Sequence, residues 1–468
     1  MTTAGASSTR LSVRRVRALP LVGNLLDFRR DRIGLIERVY AECGEAGKFR
    51  LGTRDVLILS SAEHARTVLV EQADAFEKGP VVRLFARPIL GDGLISCTNE
   101  AHKRQRRMLA PSFVPRRIAR YAEAMASSAE AASAAWKDGE RVDLVSEMLR
   151  LSMQIVGRTL FSIDLLGEAR DLSEAMSIAM HHVSERIEAP LSLPLAVPTR
   201  TNRRLRRAIK RLDETIYGMI AERRAENAAD RDGILPEQDD VLSSLLEARD
   251  EEGGAPLSNV EIRDELMTLF VAGHETSAMS LAWAWYLLAS NPNALAHMHA
   301  EIDRVLGDRL PTYEDLPKLS YTLCVVKEAL RLYPPVHSIG REAQRDVKLG
   351  PYRLARGAIV IVSPYLMHRR EEYFADALAF EPERFAKDRE EKVPRYAYLP
   401  FGAGPRVCAG GQFALVEAQI VLATMARRVS FELERETDAA GIEPQMLVTL
   451  RPERGIPALV RRRDRVEA

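Results

Sequence analysis

The stretch Pro400-Phe401-Gly402-Ala403-Gly404-Pro405-Arg406-Val407-Cys408-Ala409-Gly410-Gly411 constrains this chain more than any other. One cysteine stands in a loop of glycines and prolines, with an arginine two residues before it. An amphipathic helical pattern, Phe413-Ala414-Leu415-Val416 and then Ile420-Val421-Leu422, follows at once. Glycine lets the backbone take positive φ and come close to a flat ligand. A cysteine just ahead of a helix N-terminus has its thiolate favoured by the amide dipoles. The combination describes a thiolate held in a rigid turn and offered to a metal.

No competing metal or disulfide site stands out. Cys43, Cys97 and Cys324 are scattered without short paired spacing, which argues against a zinc site or a disulfide framework. They read as small core residues of a protein kept in a reducing compartment. With 46% hydrophobic residues, 28% charged residues and a net charge of +1, the chain is neither disordered nor drawn as a whole to nucleic acid. At 468 residues the core can be large enough to enclose a cofactor. No window approaches the roughly 20 apolar residues of a membrane span, and no apolar signal segment opens the chain. A soluble, cytoplasmic protein is expected. Residues 1–17 are basic and free of acids; they read as a flexible tail, although an organelle transit peptide has the same composition.

Helical periodicity dominates, and short strands are expected near 48–59, 336–363 and 428–462. Lys48 to Leu59, broken by Gly52-Thr53-Arg54-Asp55, reads as a hairpin, and Ser61 as the N-cap of a helix over Ala62 to Glu71. Pro80 to Gly93 is an apolar, proline- and glycine-punctuated connection. The proline-spaced run Ala189 to Pro198 cannot be a continuous helix. Ser258 opens a long helix with Glu261 at the capping-box position, and Asn291-Pro292 stops it. The arginine-dense helix from Arg200 to Arg211 has no accompanying aromatic set and is followed by acids, so it reads as a solvated face rather than a nucleic-acid surface.

The cysteine loop reads Phe-x-x-Gly-x-Arg-x-Cys-x-Gly and resembles the haem-binding loop of the cytochrome P450 family. The resemblance implies a mainly α fold with small β-sheets (α+β), in which residues 18–468 form a single haem domain around a long central helix. It implies haem b (iron protoporphyrin IX) as cofactor, with Cys408 as the iron ligand and Phe401 and Gly410 beside the ring.

Within the long helix, Ala272-Gly273-His274-Glu275-Thr276-Ser277 places a glycine, an acid and two hydroxyls where a helix prefers strong formers. The glycine costs about 1 kcal/mol against alanine, and a Thr or Ser hydroxyl can turn back onto a carbonyl and bend the helix. The stretch resembles the family's oxygen-binding groove. On that resemblance Thr276 hydrogen-bonds the dioxygen, Glu275 connects it to water, and Ala272 and Gly273 leave room for the ligand. His274 reads as a helix-surface residue without a role.

Glu328 and Arg331 lie three apart on one helix face, and this pair resembles the family's Glu-x-x-Arg signature. By analogy Glu328, Arg331 and Arg384 form a buried structural triad behind the cysteine loop. For the haem propionates the resemblance points to Arg406 and Arg106, then Arg341 and His102; arginine suits carboxylates because its planar fork binds both oxygens. Lys103, Arg104 and Arg107 make a candidate docking patch for an acidic electron carrier.

The activity implied is that of a haem-thiolate monooxygenase, an oxidoreductase that hydroxylates a lipophilic small molecule. Electrons from NAD(P)H are expected to arrive through a separate ferredoxin and ferredoxin reductase, since no flavin segment follows Pro457, and a monomer is expected. A peroxide-using enzyme or a dehydrating isomerase of the same fold, and a non-enzymatic haem sensor, are the competing readings; the Glu275–Thr276 pair speaks against all three. Pocket candidates are Val81, Val82, Leu84, Phe85, Ile89 and Leu90 in the connection after Pro80. Leu269, Phe270, Val336 and Ile339 join them. These positions suit a terpenoid, fatty acyl chain, steroid or macrolide, and each equally suits ordinary core packing.

Overall fold

The alternating stretch around Gly52 forms the expected hairpin, in which β1 (Ala46–Leu51) and β2 (Arg54–Leu59) pair antiparallel from Ala46↔Leu59 to Leu51↔Arg54. A computed structural model describes residues 13–164, 169–188, 193–229, 240–249, 256–434 and 441–463. Ten further strands follow among the described residues: β3 (Phe76–Lys78), β4 (Arg141–Asp143), β5 (Ile339–Ala343), β6 (Val347–Leu349), β7 (Tyr352–Leu354), β8 (Ile359–Val362), β9 (Val429–Leu433), β10 (Pro444–Met446), β11 (Leu450–Pro452) and β12 (Pro457–Arg462). Only β3 and β4, each a short strand, lie outside the strand regions legible in the sequence.

The chain divides into two compact units, Met1–Arg83 with Ser338–Ala377 and Val393–Val407, and Leu84–His337 with Leu378–Lys392 and Cys408–Ala468. The first unit is built on a five-stranded sheet in the order β1-β2-β8-β5-β3. Its core sets Leu57, Leu59, Val360 and Val362 of adjacent strands against Leu69, Phe76 and Leu349. The stretch read as a basic tail already belongs to this unit near its end: Val16 is buried, and Arg14 and Val16 exchange backbone hydrogen bonds with Lys48. Residues 1–12 of that stretch lie outside the described residues.

The second unit is helical. Its longer helices are α1 (Asn99–Leu109), α2 (Pro115–Ala135), α3 (Leu144–Leu160), α4 (Ala169–Glu188), α5 (Arg200–Ala229), α6 (Asn259–Ser290), α7 (Pro292–Leu306), α8 (Ser320–Leu332) and α9 (Gly411–Ala426). A sheet in the order β4-β12-β9 and the hairpin β10–β11 complete it. The central 32-residue α6 starts where the sequence placed it, with Ser258 and Glu261 in a reciprocal capping box. It is apolar around most of its circumference, which is the pattern of a helix enclosed on all sides, and Trp283 and Trp285 are fully buried. The arginines 203, 204, 206 and 207 on α5 are exposed, while Leu205 between them and Ala208 after them are buried, so that face is solvated as expected. Of the proline-spaced run, residues 189–192 lie outside the described residues, and Leu193 beyond them is exposed. No helix among the described residues is long and apolar enough to cross a membrane.

Candidate functional site

In the second unit, the Glu-x-x-Arg helix and the Arg384 turn meet in a dry ion cluster. Arg331 donates through Nε to Glu328 Oε2 at 2.6 Å and through Nη2 to Oε1 at 2.7 Å, and Arg384 Nε donates to Oε1 at 3.2 Å. Glu328 and Arg331 are fully buried. The backbone completes the cluster: Glu381 N donates to Glu328 Oε1, and Arg331 Nη2 donates to Ala379 O. A buried ion pair persists where fork geometry and extra hydrogen bonds satisfy both partners, and both conditions are met.

The residues leading to the cysteine lie in the first unit and are fixed by the backbone. Gly404 has φ +73, and a Cβ there would sit 1.7 Å from the carbonyl oxygen of Leu69. Leu399 N donates to Nε2 of the buried His368 at 2.8 Å, a support that motif spacing did not suggest. Phe401 is half-buried. Arg406 reaches Glu77 at 3.7 Å, and Arg341, on β5, is buried. Burial pulls the Arg341 guanidinium down to about 10, helped by the nearby Arg406 charge and only partly opposed by Glu77. Two guanidinium groups lie close together with Glu77 beside them, a donor set suited to carboxylates such as haem propionates.

Cys408 and Gly410 open the second unit's final segment, immediately before α9. Cys408 is exposed to solvent. The amide of Gly410 and the charge of Arg106 both favour its thiolate, yet burial outweighs them and raises the thiol above its ordinary range. The amide of Gly410 at the start of α9 thus favours the thiolate, as the sequence suggested. Arg106 is partly buried on α1, and His102, one turn earlier, is buried. Arg104 is engaged with Glu261, whereas Lys103 and Arg107 stand exposed.

In α6, Thr276 Oγ1 donates to Ala272 O at 2.5 Å and Ser280 Oγ to Thr276 O at 2.8 Å. This is the back-bonding that loosens a helix. Gly273 has a packing reason as well, because a Cβ there would meet Val156 of α3 at 3.0 Å. His274 is not on the surface: it is buried, bonded to Ser173 of α4 at 3.2 Å, and held neutral because burial lowers its pKa to about 4. The helix is buried on most sides here, and His274 lies on the side that meets α4. Glu275 is buried and accepts from Thr449 Oγ1 at 2.6 Å, with Arg451 Nη1 at 3.6 Å.

Ser277 donates to Glu417 of α9 at 2.6 Å. Burial raises the Glu417 carboxyl from 4.5 to about 8, so it stays protonated in the fold across the range where the unfolded chain has lost the proton. The stability it contributes is complete below pH 4.5 and is lost as pH rises toward 8. Glu417→Gln, which mimics the protonated group, is expected to melt like the parent at pH 5. At pH 8.5 it should be more stable by roughly 2–4 kcal/mol. Thermal melts across that range check this, and parallel curves would refute it.

The pocket candidates divide by burial. Ile89, Leu90, Leu269 and Phe270 are buried, and Phe270 packs on Phe161 with ring centroids 4.5 Å apart. Val81, Leu84 and Val336 are exposed, and Val82, Phe85 and Ile339 are partly so. The connection after Pro80 is tied down at its end in a way the sequence did not show, since Asp92 N donates to Asp264 and Leu94 N to Glu265, both on α6.

A mainly α fold, a lone cysteine before a helix and a weakened central helix with an acid–hydroxyl pair together define a haem-thiolate protein. The chain belongs to the cytochrome P450 family, whose model matches residues 14–458. It is 39% identical to cyclooctatin synthase of Streptomyces melanosporofaciens, covering 94% of each chain. Pentalenene oxygenase of Streptomyces avermitilis is 34% identical over 92% of this chain and 93% of its own. Cyclooctat-9-en-7-ol 5-monooxygenase of S. melanosporofaciens is 36% identical over 88% and 87%. The protein is thus an oxidoreductase of the P450 monooxygenase type, with haem b as cofactor and a lipophilic small molecule as substrate.

Proposed function

We propose that this enzyme hydroxylates a cyclic terpenoid hydrocarbon or alcohol, with Cys408 as the haem-iron ligand and with a ferredoxin and its reductase supplying electrons one at a time in the cytoplasm. The substrate class rests on relatives named for pentalenene and cyclooctat-9-en-7-ol at 34% and 36% identity along most of the chain. Haem, when bound, supplies the iron at which dioxygen is activated for insertion into a C–H bond. The remaining work falls to this chain's residues. Cys408 would hold the iron through its sulfur, and a thiolate ligand would release electron density toward it. Arg341 and Arg406 in the first unit, and Arg106 and His102 in the second, are the candidate donors to the propionates.

Thr276 and Glu275 deliver protons. The Thr276 hydroxyl, donating to Ala272 O, keeps lone pairs with which to accept. Releasing that bond to hand a proton on costs only about 1 kcal/mol. The single observation that carries this reading is the presence, in the same unit, of a cysteine before a helix and an acid–hydroxyl pair whose acid is buried.

The test reduces the holoenzyme under carbon monoxide, titrates pentalenene and related cyclic terpenes for a spin-state shift, and follows ferredoxin-driven turnover. A thiolate-type Soret band, a shift with a cyclic terpene, and hydroxylated product slowed by Lys103→Glu are expected. A band lacking thiolate character would remove Cys408 as ligand. Peroxide-driven turnover outrunning the ferredoxin route would make the enzyme a peroxygenase.

A further inference from the structure

The acid of the proton-delivering pair is held from outside its own helix. Three successive residues connecting β10 to β11 are each fastened to a different element of the second unit. Leu447 O lies 2.9 Å from His337 Nε2, Val448 N donates to Ser184 Oγ of α4 at 3.1 Å, and Thr449 Oγ1 donates to Glu275 Oε1 at 2.6 Å. Arg451, two residues further on, approaches the same oxygen at 3.6 Å. Both contacts fall on Oε1, which leaves Oε2 as the oxygen that can take or pass a proton. Thr449 and Glu275 are buried, so the hydroxyl–carboxylate bond is shielded from competing water and carries more weight than a surface bond. Helix α4 also touches the neighbouring residue, through Ser173 and the neutral His274.

We propose that Thr449 and Arg451 are positioning residues for proton delivery, fixing Oε1 of Glu275 so that Oε2 faces the transfer path, and that Ser184 makes this grip respond to the position of α4. The proposal rests on the reading of Glu275 as the delivering acid. It gives the β10–β11 connection a function that its sequence, Leu447-Val448-Thr449, does not announce. An element touching α4 and Glu275 at once converts a shift of that helix into a turn of the carboxylate. Thr449 needs no contact with substrate to affect the reaction.

The experiment uses holoenzyme without substrate, NADH as reductant, and a heterologous ferredoxin and reductase. Oxygen then leaves either as hydrogen peroxide, using two electrons and two protons, or as two waters, using four of each. Timely proton delivery favours water. Thr449→Val is expected to raise the peroxide share about fivefold, the equivalent of one lost hydrogen bond, and to enlarge the solvent isotope effect. Thr449→Ser should restore both. Haem content and the carbon monoxide spectrum should stay as in the parent, which a general structural defect would not allow. Arg451→Gln is the second variant should Thr449→Val fold poorly, and it should move the same two readouts.

The variant Glu275→Gln separates the two levels of inference. If it raises the peroxide share while Thr449→Val and Arg451→Gln do not, positioning by the hairpin is wrong and the role of Glu275 stands. If Glu275→Gln itself changes nothing, the reading of the acid fails and this proposal falls with it. Adding Thr449→Val to Glu275→Gln should produce no further effect, since the two act through one group; additive effects would overturn the proposal. Ser184→Ala should speed hydrogen exchange in the 444–452 segment and raise the peroxide share together. Faster exchange with an unchanged share would refute the link to α4.

Discussion

Glu328→Ala is expected to yield haem-free, poorly folded protein. The substitution removes a carboxylate that both Arg331 and Arg384 grip, and it takes the bidentate partner from a fully buried guanidinium. Breaking a buried pair from one side costs roughly 3–5 kcal/mol, against a total stability of about 5–15 kcal/mol for a domain. The backbone amide of Glu381 loses its acceptor as well. Haem content, the carbon monoxide spectrum and a thermal melt measure the outcome. Glu328→Gln keeps the shape without the charge and should fall between the parent and alanine. A Glu328→Ala enzyme with full haem loading and an unshifted melt would show that the cluster does not support the site.

Gly404→Ala should be nearly as damaging despite adding a single methyl group. The methyl would occupy the position of the Leu69 carbonyl oxygen, 1.7 Å away, at a residue whose φ is +73. Both steric insults act on backbone, which cannot step aside as a flexible side chain can. The loop bearing Arg406 and running into Cys408 must then shift as a whole. Folded protein with weakened haem retention and a disturbed thiolate spectrum is expected, measured by haem transfer to a competing apoprotein. Retention equal to the parent's would mean that the loop relaxes without moving the cysteine. Gly402, where an added Cβ would meet nothing nearer than Ile339 at 3.6 Å, suffers only the conformational penalty and should tolerate the change better.

What was legible in the sequence was local. The capping box at Ser258, the hairpin around Gly52 and the Glu328–Arg331 spacing are short-range patterns whose physics is complete within a few residues. The family resemblance added Arg384, which lies 56 positions from Glu328 and carries no local signal pointing there. Partnerships of the candidate site that lie far apart in sequence stayed hidden. Thr449 is 174 positions from Glu275, and Glu417 is 140 from Ser277; a lone Thr in a strand connection or a lone Glu in an apolar helix has no periodicity to betray its partner. The misplacement of His274 has a similar cause. Its neighbours Glu275 and Thr276 look polar, and only the burial of α6 on nearly every side shows that the whole segment is internal.

The corner shared by Arg341 and Arg406 carries one more implication, for how the enzyme comes to exist in the cell. Like charges held together in a poorly solvated place raise the free energy of the chain that contains them, and the depressed Arg341 ionisation records that tension. A dianionic cofactor bound there would relieve it, linking ligand and fold thermodynamically. A newly made polypeptide that captures porphyrin at these arginines would gain stability from doing so. Its cellular abundance should follow haem supply as closely as it follows transcription.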